Sequence, residues 1–191
     1  MPFPESIPHR SPTAVSISWF TPLAKARLTL WEVVLFGILG ALTFGAKVAM
    51  SWLPNIEPVS LFVMLFAVVF GMKCLYPIYL YVLLEILVYG INTWNLNYLY
   101  VWTILAVAAY FMRRLKHPVW WALLSGFFGL AFGALCAPVD FLLGDWQFVV
   151  SKWISGLSFD VIHAIGNFAI AAVAFLPLRI LLEKLYRKMR T

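Results

Sequence analysis

The chain has 191 residues, of which 63% are hydrophobic and 12% charged, with a mean hydropathy of +0.90, against roughly 25% charged residues in an average soluble domain. No water-soluble core absorbs that much apolar surface in one domain of this length, so lipid is the solvent the composition implies. The net charge of +6 then reads as an attraction of loops and ends to anionic headgroups, not as a nucleic-acid footprint.

Residues 1–27 are polar and Pro-containing, with Arg10, Lys25 and Arg27. They read as a cytoplasmic or interfacial N-terminal segment in which Trp19 and Phe20 could form an interfacial helix. The first apolar run starts near Thr29, too late and too long for a cleaved signal peptide, and is expected to remain as the first span. Six apolar stretches follow, at about 28–52, 59–71, 74–90, 98–112, 118–143 and 154–178. Only Gly71-Met72-Lys73 separates the second from the third, so residues 59–90 could instead form one long helix in a five-span chain.

Charge decides between these topologies, because Lys and Arg collect in cytoplasmic loops. With six spans and the N-terminus inside, Arg10, Lys25, Arg27, Lys73, Arg113, Arg114, Lys116, Arg179, Lys184, Arg187, Lys188 and Arg190 all lie on one side, which is twelve of the 14 basic residues. Only Lys47 and Lys152 fall elsewhere. Five spans would send the Arg113-Arg114-Leu115-Lys116 cluster to the opposite side. The expected fold is thus an all-α integral membrane bundle of six transmembrane helices with both termini cytoplasmic, a membrane domain at 28–182 and a basic tail at 183–191.

The outward loops are WLPNIEPV (52–59), INTWNLNY (91–98) and GDWQFVVSKW (144–153). Each mixes Trp with Asn, Asp or Glu; singly they read equally well as interfacial anchors, but three on one side read as the mouth of a binding site. No inverted or parallel repeat of the kind that builds many secondary transporters is evident.

Within the spans, Gly37, Ala41, Gly45 and Ala49 form a stripe of small residues spaced by four. Such stripes let a second helix approach closely in lipid, either a neighbour in the same bundle or a partner subunit. Ionisable groups inside spans are costly and usually paired or functional. Lys47 and Glu85 each lie about five residues from an outer helix end, so an ion pair is feasible; the alternative is a Lys47 that snorkels to the interface. In GLSFDVIHAIGN, Asp160, His163 and Asn167 share one helix face, either as an interhelical hydrogen-bond network or as the wall of a ligand site.

Enzymatic chemistry is not expected. Ser158, Asp160 and His163 lie within about one turn and cannot easily assume a triad geometry, and no nucleophile elbow occurs. His9 and His117 lie on the cytoplasmic side and His163 on the outer side, leaving no metal cluster. The stretch Gly40–Lys47 lacks the Gly-Lys-Ser/Thr of a phosphate loop and sits inside an apolar helix, so no cofactor site is indicated. Cys74 and Cys136 fall near opposite ends of different spans and are expected to remain unbridged.

A small six-span chain with a small-residue stripe in its first span followed by LPNIEPVSL resembles the S components of energy-coupling factor (ECF) transporters. FGMKCLYPIYLYVLLEILVYG, NLNYLYVWTILA, LSGFFGLAFGALCAP and FDVIHAIGNFAIAAVAFLPL extend the likeness over roughly residues 30–180. The resemblance implies a substrate-binding subunit of a prokaryotic plasma membrane that captures a vitamin or related micronutrient outside, then works with a membrane coupling subunit and two cytoplasmic ATPases and topples to release its ligand. The family's AxxxA motif maps onto Ala41 and Gly45, with Gly37 and Ala49 extending it; Gly in place of the second Ala keeps the motif small. Ligand contacts are nominated at Asn55, Glu57, Asn92, Trp94, Asn95, Tyr98, Trp146, Asp160, His163 and Asn167. Their aromatic and amide content fits a hydrogen-bonding heterocycle, with a lean to cobalamin-type ligands. Two other classes stay open: an autonomous carrier with Glu85, Asp160 and His163 as a proton relay, and a structural subunit that binds nothing.

Overall fold

A computed structural model describes residues 28–54 and 56–190. The N-terminal segment 1–27, with His9, Trp19 and Phe20, and the nominated Asn55 lie outside the described residues. Among the described residues the chain is all-helical: α1 (Leu30–Ala49), α2 (Val59–Phe70), a 3-10 turn (Gly71–Cys74), α3 (Leu75–Tyr89), α4 (Thr93–Met112), α5 (Pro118–Asp140) and α6 (Trp146–Arg190). Five stretches are helical, long and apolar enough to cross a membrane, with Val59–Tyr89 counted as one. Large apolar side chains stand exposed along their faces, including Leu87, Phe111, Phe127, Ile165 and Val173. Water would not tolerate such a surface and lipid favours it, which makes this a multi-pass membrane protein.

The 59–89 stretch is not one rod. Gly71 holds φ at +61°, a left-handed conformation open to glycine at no steric cost, and the chain turns back there. Phe36 of α1 touches both Phe70 at the end of α2 and Tyr76 at the start of α3, with ring centroids 5.1 and 6.0 Å away. Lys73 bonds Glu32 near the start of α1, while Glu85 bonds Lys47 near its end. Helix α3 therefore runs alongside α1 in the same direction and α2 runs opposite to both.

The remaining helices alternate in the same way. Tyr98, near the start of α4, approaches Lys47, and Tyr110, near its end, borders Gly71. Helices α5 and α6 pair antiparallel, from Gly133 against Asp160 to Trp121 stacked on Phe175 at 4.5 Å. One end of the bundle thus gathers Lys73, Arg113, Arg114, Lys116, Arg179, Lys184 and Arg187 (the basic end), and the far end holds Lys47 and Lys152. The middle is filled by Trp102, Trp121, Tyr81, Phe66 and Phe175, all fully buried.

Three boundaries differ from the sequence reading. Most of 91–98 and of 144–153 is helix, not loop. The Asn92 side chain caps α4 by accepting from Trp94 N and Asn95 N while Asn95 Oδ1 accepts from Asn92 N, a reciprocal capping box that starts the helix among polar residues. Asp145 Oδ1 likewise accepts from Phe148 N, 2.9 Å away, at the head of α6. The segment 183–191 is no separate tail either: α6 continues to Arg190. It is anchored there by Tyr186, whose ring packs edge-on against Phe70 at 4.9 Å and whose hydroxyl donates to Glu32.

Candidate functional site

Between α4, α5 and α6 at the far end lies a cavity of about 780 Å³. Its floor carries Lys47 from α1 and Glu57 from the segment entering α2. Helix α4 contributes Thr93, Trp94, Asn97 and Tyr98; α5 contributes Phe132, Gly133, Cys136 and Asp140; α6 contributes Lys152, Trp153, Gly156, Phe159, Asp160 and His163. The first turn of α4, with Thr93 and Trp94, and the second turn of α6, with Lys152 and Trp153, border this space.

Its electrostatics are largely internal. Lys47 Nζ lies 2.8 Å from Glu85 Oε2 and donates at 3.3 Å to the Tyr98 hydroxyl. Glu85 is almost wholly buried, and its second oxygen, Oε1, meets no partner. Lys152 forms an ion pair with Asp140 across the cavity mouth. Glu57 has no ion-pair partner within 4 Å among the described residues; burial raises the pKa of its carboxyl, with Lys47 opposing the shift and Glu85 reinforcing it.

On the α6 wall, Asp160 Oδ1 accepts from the Gly133 backbone N–H at 3.1 Å. Gly133 has no side chain because Asp160 fills the place where a Cβ would stand. The other oxygen, Oδ2, is buried and unpartnered, as is His163 Nε2. The His163 ring stands edge-on to Phe132 at 5.0 Å, and Phe132 packs on Trp102. Buried polar atoms left without partners cost about 1–3 kcal/mol each, and Asp160 and His163, two of the residues that carry them, both line this cavity.

Of the residues nominated from sequence, the cavity brings together Glu57, Trp94, Tyr98, Asp160 and His163, with Lys47 beneath. Asn92 and Asn95 do not line it; their side chains are spent on the α4 cap. Trp146 is 67% exposed and stacks on Phe141 away from the cavity. Asn167 lies deeper, donating to Ser60 Oγ at 3.0 Å and to the Ser125 carbonyl at 3.4 Å, so it ties α6 to α2 and α5. Asp140 and Lys152 also line the cavity without being nominated from the sequence; Lys152, like Lys47, is one of the few basic residues away from the basic end, and that asymmetry is a usable signal.

The small-residue stripe faces away from the bundle. Ala41, Gly45 and Ala49 are exposed and Gly37 is half-buried, and a Cβ built on Gly37 or Gly45 would meet nothing within 4 Å. The stripe is therefore not where α1 packs on its own neighbours; that role falls to Gly40, against which Leu80 closes to 2.9 Å of a built Cβ.

These features define a multi-pass helical membrane protein with a polar, aromatic-walled cavity at the end opposite its basic residues. No protein-family model matches the chain, nor does any curated protein or solved structure.

Proposed function

We propose that the chain crosses a prokaryotic plasma membrane six times with its basic ends in the cytoplasm, and that it captures a small heterocyclic micronutrient from outside as the substrate-binding S component of an ECF-type importer. The observation that carries this reading is the far-end cavity, on the side away from the basic residues, lined by Asp160 and His163, each of which holds a buried polar atom without a partner. A topology in which α2 and α3 each cross once agrees with the reversal at Gly71 and keeps Lys73 on the cytoplasmic side with the Arg113–Lys116 cluster, as the preference of Lys and Arg for that side requires.

The outward-facing small-residue stripe on α1 supports a coupling subunit as the partner, since small residues let a second helix approach closely in lipid. ATP hydrolysis then belongs to two cytoplasmic partner subunits. The cavity volume of about 780 Å³ lies within the 300–1,000 Å³ of drug-sized ligand sites, which favours a compact heterocycle over a corrinoid. The test is native mass spectrometry of the detergent-purified protein with ligand extraction and a vitamin panel. A heterocycle held by the wild type and lost from Asp160→Ala and His163→Ala with folding intact supports the reading. Uptake that needs no ATP and collapses with uncouplers would transfer support to a proton-coupled carrier, and a protein that binds nothing would leave a structural subunit.

A further inference from the structure

We propose that the far-end cavity selects an organic cation, a positively charged or cation-bearing planar ring, over neutral and anionic molecules of the same shape. This rests on the binding-subunit reading and names the substrate class for that site.

The argument is a charge count. The cavity's two ammonium groups are already committed, Lys47 to Glu85 at 2.8 Å and Lys152 to Asp140. Two carboxylates remain, Glu57 on the floor and Asp160 on the wall, neither in an ion pair among the described residues. Glu57 also draws on Lys47 at longer range, so one ammonium already answers to two acids.

Asp160 lines the cavity with only 6% of its surface exposed, and its Oδ2, packed against Gly133, has no hydrogen-bond partner. An uncompensated carboxylate in such a place is stabilised by an opposite charge brought to it and opposed by a second anion. The walls suit the same ligand. Trp94, Tyr98, Trp153 and Phe159 present rings to the cavity, and a cation within about 6 Å of a ring face is attracted by its quadrupole. The rings here already serve that purpose, since Lys47 Nζ stands 5.1 Å from the Tyr98 centroid. His163 Nε2 supplies a polar contact for a substituent on the ring.

Equilibrium dialysis of the full chain in detergent against three ring-matched probes, with mass-spectrometric detection, separates charge from shape. The probes are nicotinate, nicotinamide and 1-methylnicotinamide, in which the last two share a carboxamide and differ by one positive charge. The cation is expected to bind about tenfold or more tighter than the anion, and severalfold tighter than the neutral ring. Asp160→Asn preserves the Oδ1 acceptor for Gly133 and is expected to bring the three within about threefold. Glu57→Gln lies outside the helices and gives the same direction should the first variant fold poorly. Equal or reversed preference in the wild type, or a preference untouched by both variants, overturns the inference while leaving a binding subunit intact. A wild type that takes up none of the probes and carries no small molecule overturns both.

Discussion

Truncating Lys47 gives the sharpest test of how the far end is held together. At 2.8 Å and an effective dielectric near 20, the Coulomb attraction between Lys47 and Glu85 is about 6 kcal/mol before desolvation, most of which the removal of both charges from water offsets. Glu85 exposes only 5% of its side chain, whereas Lys47 exposes 22% and keeps Tyr98 as a second acceptor. Losing the lysine is therefore worse than losing the glutamate. Lys47→Met leaves a buried carboxylate whose other oxygen already has no partner, and is expected to cost about 3 kcal/mol, the lower edge of the range for breaking a buried pair. Glu85→Gln costs less, and Lys47→Met/Glu85→Leu returns most of the loss because no charge is left behind. The assay is reversible unfolding by SDS titration in mixed micelles, followed by circular dichroism. A single-variant loss below about 1 kcal/mol, no more than an ordinary polar coupling inside membranes, would refute the reasoning, as would a double variant as unstable as the sum of its parts.

Gly129→Ala would place a Cβ 2.9 Å from the Ala164 backbone, and a helix backbone cannot retreat as a side chain can; a loss of about 2–3 kcal/mol in the same unfolding assay is expected. Gly45→Leu meets open space, so stability should change by less than about 0.5 kcal/mol, while ATP-driven uptake in a reconstituted complex should fall if the stripe meets the coupling subunit. Glu57 has a carboxyl pKa raised in the fold above its reference value of 4.5. The native state therefore holds more protons than the unfolded one between 4.5 and the raised value, and stability falls as pH climbs through that window. Glu57→Gln should accordingly melt higher than wild type at pH 7.5 and level with it at pH 4; a lower melting point at pH 7.5 would count against the half-buried, unpaired carboxylate.

Hydropathy and charge made the bundle legible, and the polar helix ends were what they concealed. The apolar runs mark each helix, down to α2 and α3 with 12 and 15 residues, and Gly71-Met72-Lys73 stands out as the break at which the chain turns. The far-end stretches read as loops because Asn, Asp and Trp interrupt the apolar pattern, yet Asn92 with Asn95, and Asp145, are helix starts. Capping by an Asn-x-x-Asn pair is weaker as a sequence sign than Ser or Thr followed by Glu. Within the site, the three-residue spacing of Asp160 and His163 puts both on one face and the cavity receives both. Asn167, four residues further, lies about 6 Å deeper along the axis, where its face meets α2 and α5 instead. Depth, not face, separated the binding candidates from the packing residue, and depth depends on where neighbouring helices end.

The packing between the two ends bears on how a captured molecule would leave. A second cavity, of about 730 Å³ and bordered by Glu32, Gly71, Lys73, Tyr110, Arg113 and Tyr186, lies at the basic end. Between it and the far-end cavity stand Trp102, Tyr81, Phe66 and the Trp121–Phe175 stack, all without solvent exposure. Interiors packed in this way do not open gradually. The basic end is closed by a hub in which the Glu32 carboxylate accepts from Lys73 Nζ at 2.7 and 2.8 Å, from the Tyr186 hydroxyl at 2.8 Å and from Thr29 N at 3.0 Å. That hub joins α1, the turn before α3 and the end of α6. Passage through the middle would have to unstack the aromatic layer and break the hub together, with no internal repeat to supply two halves that rock against each other. Movement of the whole bundle within the bilayer disturbs neither. The bundle is tied at the basic end by Glu32 and at the far end by Lys47–Glu85 and Lys152–Asp140; if it is the binding subunit proposed above, release by movement of the whole bundle against a partner at the small-residue stripe leaves these ties unbroken.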